Sequence, residues 1–143
     1  MRLRDAANSV SDPEDEDQLR DLDAALESTS AGINDDLVSL FLMFERHPDS
    51  DGFGVFWSAL HWLEAQPSET YEKELLQSIE RKPVPFTLNM INRMLNGGFH
   101  TAAGSNLLDL LNRLSTRSDI SQEVKEQAVH LFIRHSSRTD QSA

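Results

Sequence analysis

The sequence predicts an all-α protein. Apolar residues recur at spacings of three and four along most of the chain, and no segment alternates with period two over a useful length. The breaks between these periodic segments carry proline or glycine, which end helices. About seven helices and no strand follow from this pattern.

The predicted helices pair as antiparallel hairpins. The second, fourth and sixth begin near residues 34, 68 and 104, a structural period of about 34 residues. One helix pair per period is typical of a short HEAT-like solenoid of stacked hairpins. A compact helical bundle is the alternative architecture.

The N-terminal third is predicted to contain one surface helix and one buried helix. Residues 1–12 are polar and are predicted to be disordered. The first helix begins at Asp12-Pro13, because proline suits the first helical position and the acidic run Glu14–Asp17 suits the helix dipole. It ends near Gly32. Asn34 caps the second helix, which is apolar around nearly its full circumference and is therefore predicted to be central.

Turn-forming segments separate the remaining helices. The run His47–Gly52 is dense in turn residues, and two prolines interrupt the helical pattern at Lys82–Pro85. Residues 13–135 are predicted to form one domain, followed by a loose tail over 136–143. The third to seventh helices are predicted over about 53–65, 68–81, 86–96, 105–114 and 119–135.

The charge of the chain is concentrated in its first half. The net charge is −11, and residues 1–80 hold 19 acidic against 5 basic residues, or −14. Residues 81–143 hold 5 against 8, or +3. Such a field attracts basic proteins and repels nucleic acid and anionic membranes, so neither of the latter is expected as a partner.

The sequence also predicts where the chain resides. It lacks cysteine, which suits a cytoplasmic protein and excludes disulfides and thiolate chemistry. Its start leads into polar sequence, so we expect no signal peptide. No stretch approaches the ~20 apolar residues that a bilayer requires. We therefore expect a soluble, cytoplasmic protein.

The turn after the second helix has some of the residues of a calcium-binding EF-hand loop. Asp49 and Asp51 occupy ligand positions when Gly52 is aligned with the glycine of an EF-hand loop. However, His47 stands where the first Asp belongs and Ser58 stands where the bidentate Glu belongs. Two strong ligands are missing, so no calcium site is predicted.

No other catalytic or cofactor-binding motif is found. The sequence has no Gly-x-Ser-x-Gly elbow. Gly97-Gly98 and Gly104 follow no predicted strand, so they indicate helix ends rather than a phosphate-binding loop. The chain is therefore predicted not to be an enzyme and to hold no cofactor or metal.

One carboxylate is predicted to be buried. On a helical wheel Glu64 projects between Leu60 and Trp57, where an unpaired charge would be costly. Arg93, at the edge of the fifth helix's apolar face, is the best available cation. We expect a structural polar network rather than a metal site, comprising His61, Glu64, Arg93 and Asn96.

Seven further carboxylates come from helix starts and from the turn after the second helix. They are either ordinary partners of the helix dipole and a soluble surface, or an acidic face that binds a basic protein. The seven are Asp35, Asp36, Asp49, Asp51, Glu69, Glu72 and Glu74.

The central part of the chain carries a family resemblance. Residues 56–64 read Phe-Trp-Ser-Ala-Leu-His-Trp-Leu-Glu, followed by Tyr71 and by Arg93-Met-Leu-Asn96. The order of Trp, then His and Glu one and two turns on, a later Tyr and Arg-x-x-Asn resembles immunity protein family 30 of bacterial polymorphic toxin systems. The match covers about 60 of the 143 residues.

The resemblance implies a non-enzymatic antidote that binds a cognate toxin domain and blocks its active site or its access to substrate. The acidic first half adds an independent expectation, because it would complement the basic groove of a nuclease. A nuclease is the favoured toxin, and toxins with other substrates stay open. The alternative function is a non-catalytic helical-repeat adaptor or scaffold.

Overall fold

The computed structural model describes residues 1–142, with side chains described as far as residue 137. It is 71% helical, and the predicted all-α class is confirmed. One short hairpin, β1 (Thr101–Ala102) with β2 (Ser105–Asn106), accompanies the helices. Within the described chain the helices are α1 (Leu3–Asn8), α2 (Glu16–Ser28), α3 (Asn34–Arg46), α4 (Val55–Glu64), α5 (Ser68–Arg81), α6 (Pro85–Asn96), α7 (Leu107–Thr116) and α8 (Gln122–Ser142).

The chain divides into two compact units where the sequence predicts one domain over 13–135. Unit 1 is Met1–Ser78 and unit 2 is Ile79–Ala143, so the boundary falls inside the continuous helix α5. No proline, glycine or polar run marks that position, which is why the sequence gives no sign of it. Stacked hairpins and a compact bundle both stay predictions.

The N terminus is ordered, so the prediction of disorder over 1–12 is wrong. Helix α1 packs against α2 and α3. Its apolar residues stand at spacings of three and four, which buries one face of even a short helix. The residues buried on that face or directly after it are Leu3, Ala6, Ala7 and Val10.

Two side chains at the end of α3 hold the end of α1. Arg46 Nη2 donates to the carbonyl of Ala7 at 2.9 Å. His47 Nε2 lies 2.8 Å from the carbonyl of Val10, which can only accept, so this nitrogen carries a proton. Burial lowers the pKa of Arg46 from its usual value, while the neighbouring carboxylate of Glu45 opposes that shift.

Helix α2 begins later than the sequence predicts, and α3 begins one residue earlier. The carboxylate of Asp15 caps α2 by accepting from the backbone N–H groups of Asp17 and Gln18, and Pro13 lies in the preceding turn. The Ncap of α3 is Ile33, and Asn34 is the first helical residue rather than the cap. The side chain of Ile33 cannot accept a hydrogen bond.

The carboxylate of Asp36 replaces the missing cap of α3. Its Oδ2 accepts from the backbone N–H of Ile33 at 3.0 Å. Its Oδ1 accepts from the backbone N–H of Arg4, in the first turn of α1, also at 3.0 Å. One buried carboxylate therefore satisfies backbone donors at the starts of two helices.

Helix α3 supplies the core of unit 1, and its predicted central position is confirmed by its burial. The ring of Phe44 meets Phe41 edge-on at 6.2 Å and lies 5.7 Å from Phe56 of α4. Glu45 is buried too, and its Oε2 accepts from Ser78 Oγ at 2.8 Å. The buried apolar residues of α3 are Leu37, Leu40, Phe41, Met43 and Phe44.

The loop between α2 and α3 is fixed by a tryptophan. Trp62 is buried, and its indole N–H donates to the carbonyl of Thr29 at 2.6 Å. A β-carbon on Gly32 would overlap the Trp62 ring, so only glycine fits there. The amide oxygen of Gln66 accepts from the Gly32 N–H at 3.1 Å.

The small hairpin of unit 2 contradicts the prediction of no strand. Its two-residue loop is Ala103-Gly104, and both residues have positive φ, +46° and +81°. Positive φ at both loop positions is the signature of a type I′ turn, which aligns the flanking strands. The strands are two residues each, too short to produce an alternating apolar pattern in the sequence.

Helix α8 packs on both α6 and α7 within unit 2. His135 is buried on α8, and its Nε2 lies 2.8 Å from Asn92 Oδ1 of α6. The predicted loose tail over 136–143 is not seen as far as Ser142, because α8 continues through it. Ala143 lies outside the described residues.

Replacing Asp36 by alanine should destabilise unit 1, because the backbone donors of Ile33 and Arg4 lose their acceptor. We expect a loss of about 2 kcal/mol in the free energy of unfolding, measured by denaturant titration. The neighbouring Asp35→Ala is the control. It removes only an exposed ion pair with Arg4 at 3.2 Å and should cost under about 1 kcal/mol. Equal losses would contradict the assigned role of Asp36.

Candidate functional site

The predicted buried network is not supported by the burial of its members. His61, Arg93 and Asn96 are exposed, and Glu64 is half-buried. The helical wheel places Trp57 in the buried arc of α4, whereas this side chain is 38% exposed in the structure. The inner face of α4 is formed instead by Phe56, Ala59, Leu60 and Leu63, which places Trp57, His61 and Glu64 on the outer side.

Two of the seven predicted docking carboxylates are inside the protein. Asp36 is 7% exposed and occupied by the backbone donors described above. Glu74 is 3% exposed, and its Oε2 has no hydrogen-bond partner among the described residues. Both side chains are buried, so neither lies on an exposed face of the protein.

The other five carboxylates remain available at the surface of unit 1. Asp35, Asp49, Asp51 and Glu69 are exposed, and Glu72 is half-buried. Asp49 and Asp51 share the turn that joins α3 to α4. These five carboxylates therefore lie at the surface of unit 1. The docking face itself stays a prediction.

The turn over 47–54 is closely organised by hydrogen bonds. The backbone N–H of Gly52 donates to Ser50 Oγ at 3.0 Å. The carbonyl of Asp51 accepts from both Gly54 at 3.0 Å and Phe56 at 3.1 Å. These bonds wind Gly52–Gly54 into a single 3₁₀ turn that leads directly into α4.

Phe53 occupies an unusual place in this turn. Its φ and ψ are 51° and 35°, in the left-handed region that disfavours bulky side chains by roughly 1–2 kcal/mol. Both neighbours are glycines with positive φ, +57° at Gly52 and +92° at Gly54. The Phe53 side chain is nevertheless 68% exposed, so little burial offsets the strain.

Gly52 packs the turn onto the core. A β-carbon there would lie 2.7 Å from Phe56 Cδ1 and 3.1 Å from Leu19 Cδ2. Phe56 also lies 6.4 Å, ring to ring, from His47, whose imidazole is bonded to Val10. The turn is thus held against the core of unit 1 through Gly52, while its exposed residues face solvent.

We define the turn surface as Asp49, Asp51, Phe53 and Trp57, all of which are exposed. It combines two carboxylates with two aromatic side chains within nine residues of sequence. The sequence predicts the two carboxylates as docking residues but does not predict that Phe53 and Trp57 are exposed, because apolar residues are assigned to the core. The Gly-Phe-Gly triplet was the available signal, since glycines on both sides favour left-handed backbone.

An open pocket of unit 2 does not indicate catalysis. It has a volume of about 330 Å³ and lies beside Ser115, Lys125 and His130. Ser115 Oγ donates to the carbonyl of Asn112 at 2.6 Å, as serines near helix ends often do. That hydroxyl is therefore not held by His130, as a serine activated for nucleophilic attack would be.

Among the described residues, no group of three or more His, Cys, Asp or Glu side chains is placed to hold a metal ion. The described helices also include none with the length and apolar content needed to cross a bilayer. No family model, curated protein or solved structure matches this chain. The resemblance to immunity protein family 30 therefore stays a prediction.

Gly52→Ala should destabilise the protein by about 2–3 kcal/mol in a denaturant titration, because the methyl group is forced against Phe56 and Leu19. Gly97→Ala is the matched control. Gly97 has a negative φ, and its added β-carbon would make contacts no closer than 3.4 Å. We expect a change below about 1 kcal/mol there. A tolerated Gly52→Ala would show that the turn is not anchored as described.

Proposed function

We propose that this chain is an immunity protein: a non-catalytic antidote that binds a basic toxin domain and blocks its active site or access to its substrate. The exposed carboxylates of unit 1, above all Asp49 and Asp51, form the docking face in this proposal. The chain would act in the bacterial cytoplasm, with the toxin as its partner and without cofactor, nucleic acid or membrane.

The charge of unit 1 is the observation that carries the proposal. Residues 1–78 hold 18 acidic and 5 basic residues, a net charge of −13, whereas residues 79–143 carry +2. Asp35, Asp49, Asp51 and Glu69 place part of this charge directly at the surface. Complementary charge accelerates association and excludes partners of the wrong sign.

A nuclease is the favoured toxin because its substrate groove must be basic to hold phosphates. An acidic protein that occupies such a groove would compete with nucleic acid for the same cations. The affinity of the complex should then fall steeply with ionic strength. A toxin that acts on another substrate is compatible with the same docking chemistry only if its surface is basic.

The exposure of the resembling motif also supports a binding role. Trp57, His61, Arg93 and Asn96 are exposed, and Glu64 is half-buried. Residues that served only to fill the core would be buried, whereas these side chains contribute to the surface that a partner would meet. Their position supports the immunity proposal only through the resemblance.

The rival function, a helical-repeat adaptor, makes a different prediction about the genome. An antidote gene should lie directly downstream of a large gene with a variable toxic C-terminal domain. Co-expression of this chain should then rescue growth of cells that produce that C-terminal domain. Lack of rescue, together with lack of binding in vitro, would favour the adaptor.

The double variant Asp49→Lys/Asp51→Lys should bind the neighbouring toxin domain more slowly. It removes charge from the proposed docking face and replaces it with repulsion. We expect the association rate at low salt to fall about tenfold or more, and its dependence on salt to weaken, in stopped-flow or surface plasmon resonance measurements.

Glu14→Lys/Asp17→Lys is the matched control, because it changes the net charge equally at two exposed residues outside the resembling segment, Glu14 just before α2 and Asp17 in its first turn. Its effect on the association rate should be clearly smaller. If both doubles slow binding equally, only total charge matters and the turn is not the docking face. Full toxin neutralisation by the Asp49/Asp51 variant at an unchanged rate would move the interface elsewhere.

A further inference from the structure

We propose that Phe53 is the anchor residue of the interface, inserting into an apolar pocket of the partner that is rimmed by lysine or arginine. The inference rests on the proposed function and adds to it the chemistry of the surface that the partner must present. It is drawn from the conformation, exposure and surroundings of Phe53, none of which the resemblance to immunity proteins implies.

The fold gains little from a phenylalanine at position 53. The left-handed backbone at this position is best suited to glycine, asparagine or aspartate, and a bulky residue is a genuine outlier. A buried ring could offset the strain, yet this side chain is 68% exposed. Strained residues that the structure does not need are found preferentially at binding and catalytic sites.

The backbone at Phe53 is held in place by the rest of the turn. The turn is tied by hydrogen bonds from Gly52, Gly54 and Phe56, and Gly52 is in close contact with the core. An aromatic side chain on such a platform has only two rotatable bonds to order when it binds. Preorganised aromatic residues therefore give large contact area at low entropic cost, and they are enriched among the dominant residues of interfaces.

The residues around Phe53 indicate the chemistry that the partner must present. Asp49 and Asp51 precede Phe53 in the same turn, and exposed Trp57 follows it in the first turn of α4. An apolar centre with a charged rim is the usual anatomy of a protein interface. The rim here is acidic, so the complementary pocket must be rimmed by cations, which are also attracted to aromatic faces. These requirements fit a basic protein and exclude an acidic one.

The experiment compares Phe53→Asn with the wild-type chain. Asparagine tolerates left-handed backbone, so the substitution removes the ring and keeps the turn. The probe is the C-terminal domain encoded directly upstream, in catalytically inactive form, titrated by calorimetry. We expect the dissociation constant to rise about thirtyfold or more, as for loss of a dominant interface residue. The melting temperature of the chain alone should stay constant or rise.

Phe99→Asn provides the matched control, because Phe99 is a comparably exposed phenylalanine, at 62%, in unit 2. Its dissociation constant should stay within about twofold of wild type. If the wild type binds the domain and Phe53→Asn binds equally well, the anchor assignment is overturned and the proposed function survives. If the wild type does not bind, the proposed function fails and the inference falls with it.

Two results that require no partner would also overturn the inference. A clear drop in the melting temperature of Phe53→Asn would show that the ring stabilises the fold. A homodimer in sedimentation equilibrium that Phe53→Asn dissociates would show that a second copy of this chain covers the ring. A wild-type monomer with an equally or more stable Phe53→Asn variant supports the assignment.

Discussion

The burial of α3 is the constraint on which unit 1 depends. A helix that is apolar on nearly every side must be covered by other elements, and a short chain has few available. The N-terminal residues provide part of this cover, because α1 packs on α3. Arg46, His47 and Asp36 make hydrogen bonds to the N-terminal backbone. Covering the end of α3 also fixes the following turn, because His47 and Phe56 lie on either side of it.

The same constraint sorts the carboxylates of unit 1. Asp36 is buried where its carboxylate accepts hydrogen bonds from backbone donors at two helix starts. Glu45 is buried with Ser78 as its hydrogen-bond donor. Asp49 and Asp51 stay outside because the turn that carries them is anchored through Gly52 and Phe56. Neighbouring acidic residues of unit 1 thus differ in role, because some accept hydrogen bonds inside the protein and others lie at its surface.

The helices could be predicted from the sequence, whereas the site could be predicted only in part. Spacings of three and four located all seven expected helices, since that signal is local. The role of Asp36 depends on Arg4, 32 residues away, which no local pattern reports. The sequence places Trp57 on the inner side of α4, because a helical pattern does not distinguish an exposed tryptophan from a buried one. Helix α1 and the Gly-Phe-Gly turn also leave a pattern in the sequence. However, a short apolar stripe and single glycines predict structure only weakly.

We propose that a basic toxin domain docks on the turn surface, and hydrogen–deuterium exchange of the complex can locate the contact. We expect binding to slow exchange over residues 48–58, with little change over 16–28 in α2. Both segments belong to unit 1 and both are acidic, so general electrostatic attraction would not distinguish them. Protection confined to residues 79–137, or spread evenly over the acidic helices with none in the turn, would contradict docking on the turn surface.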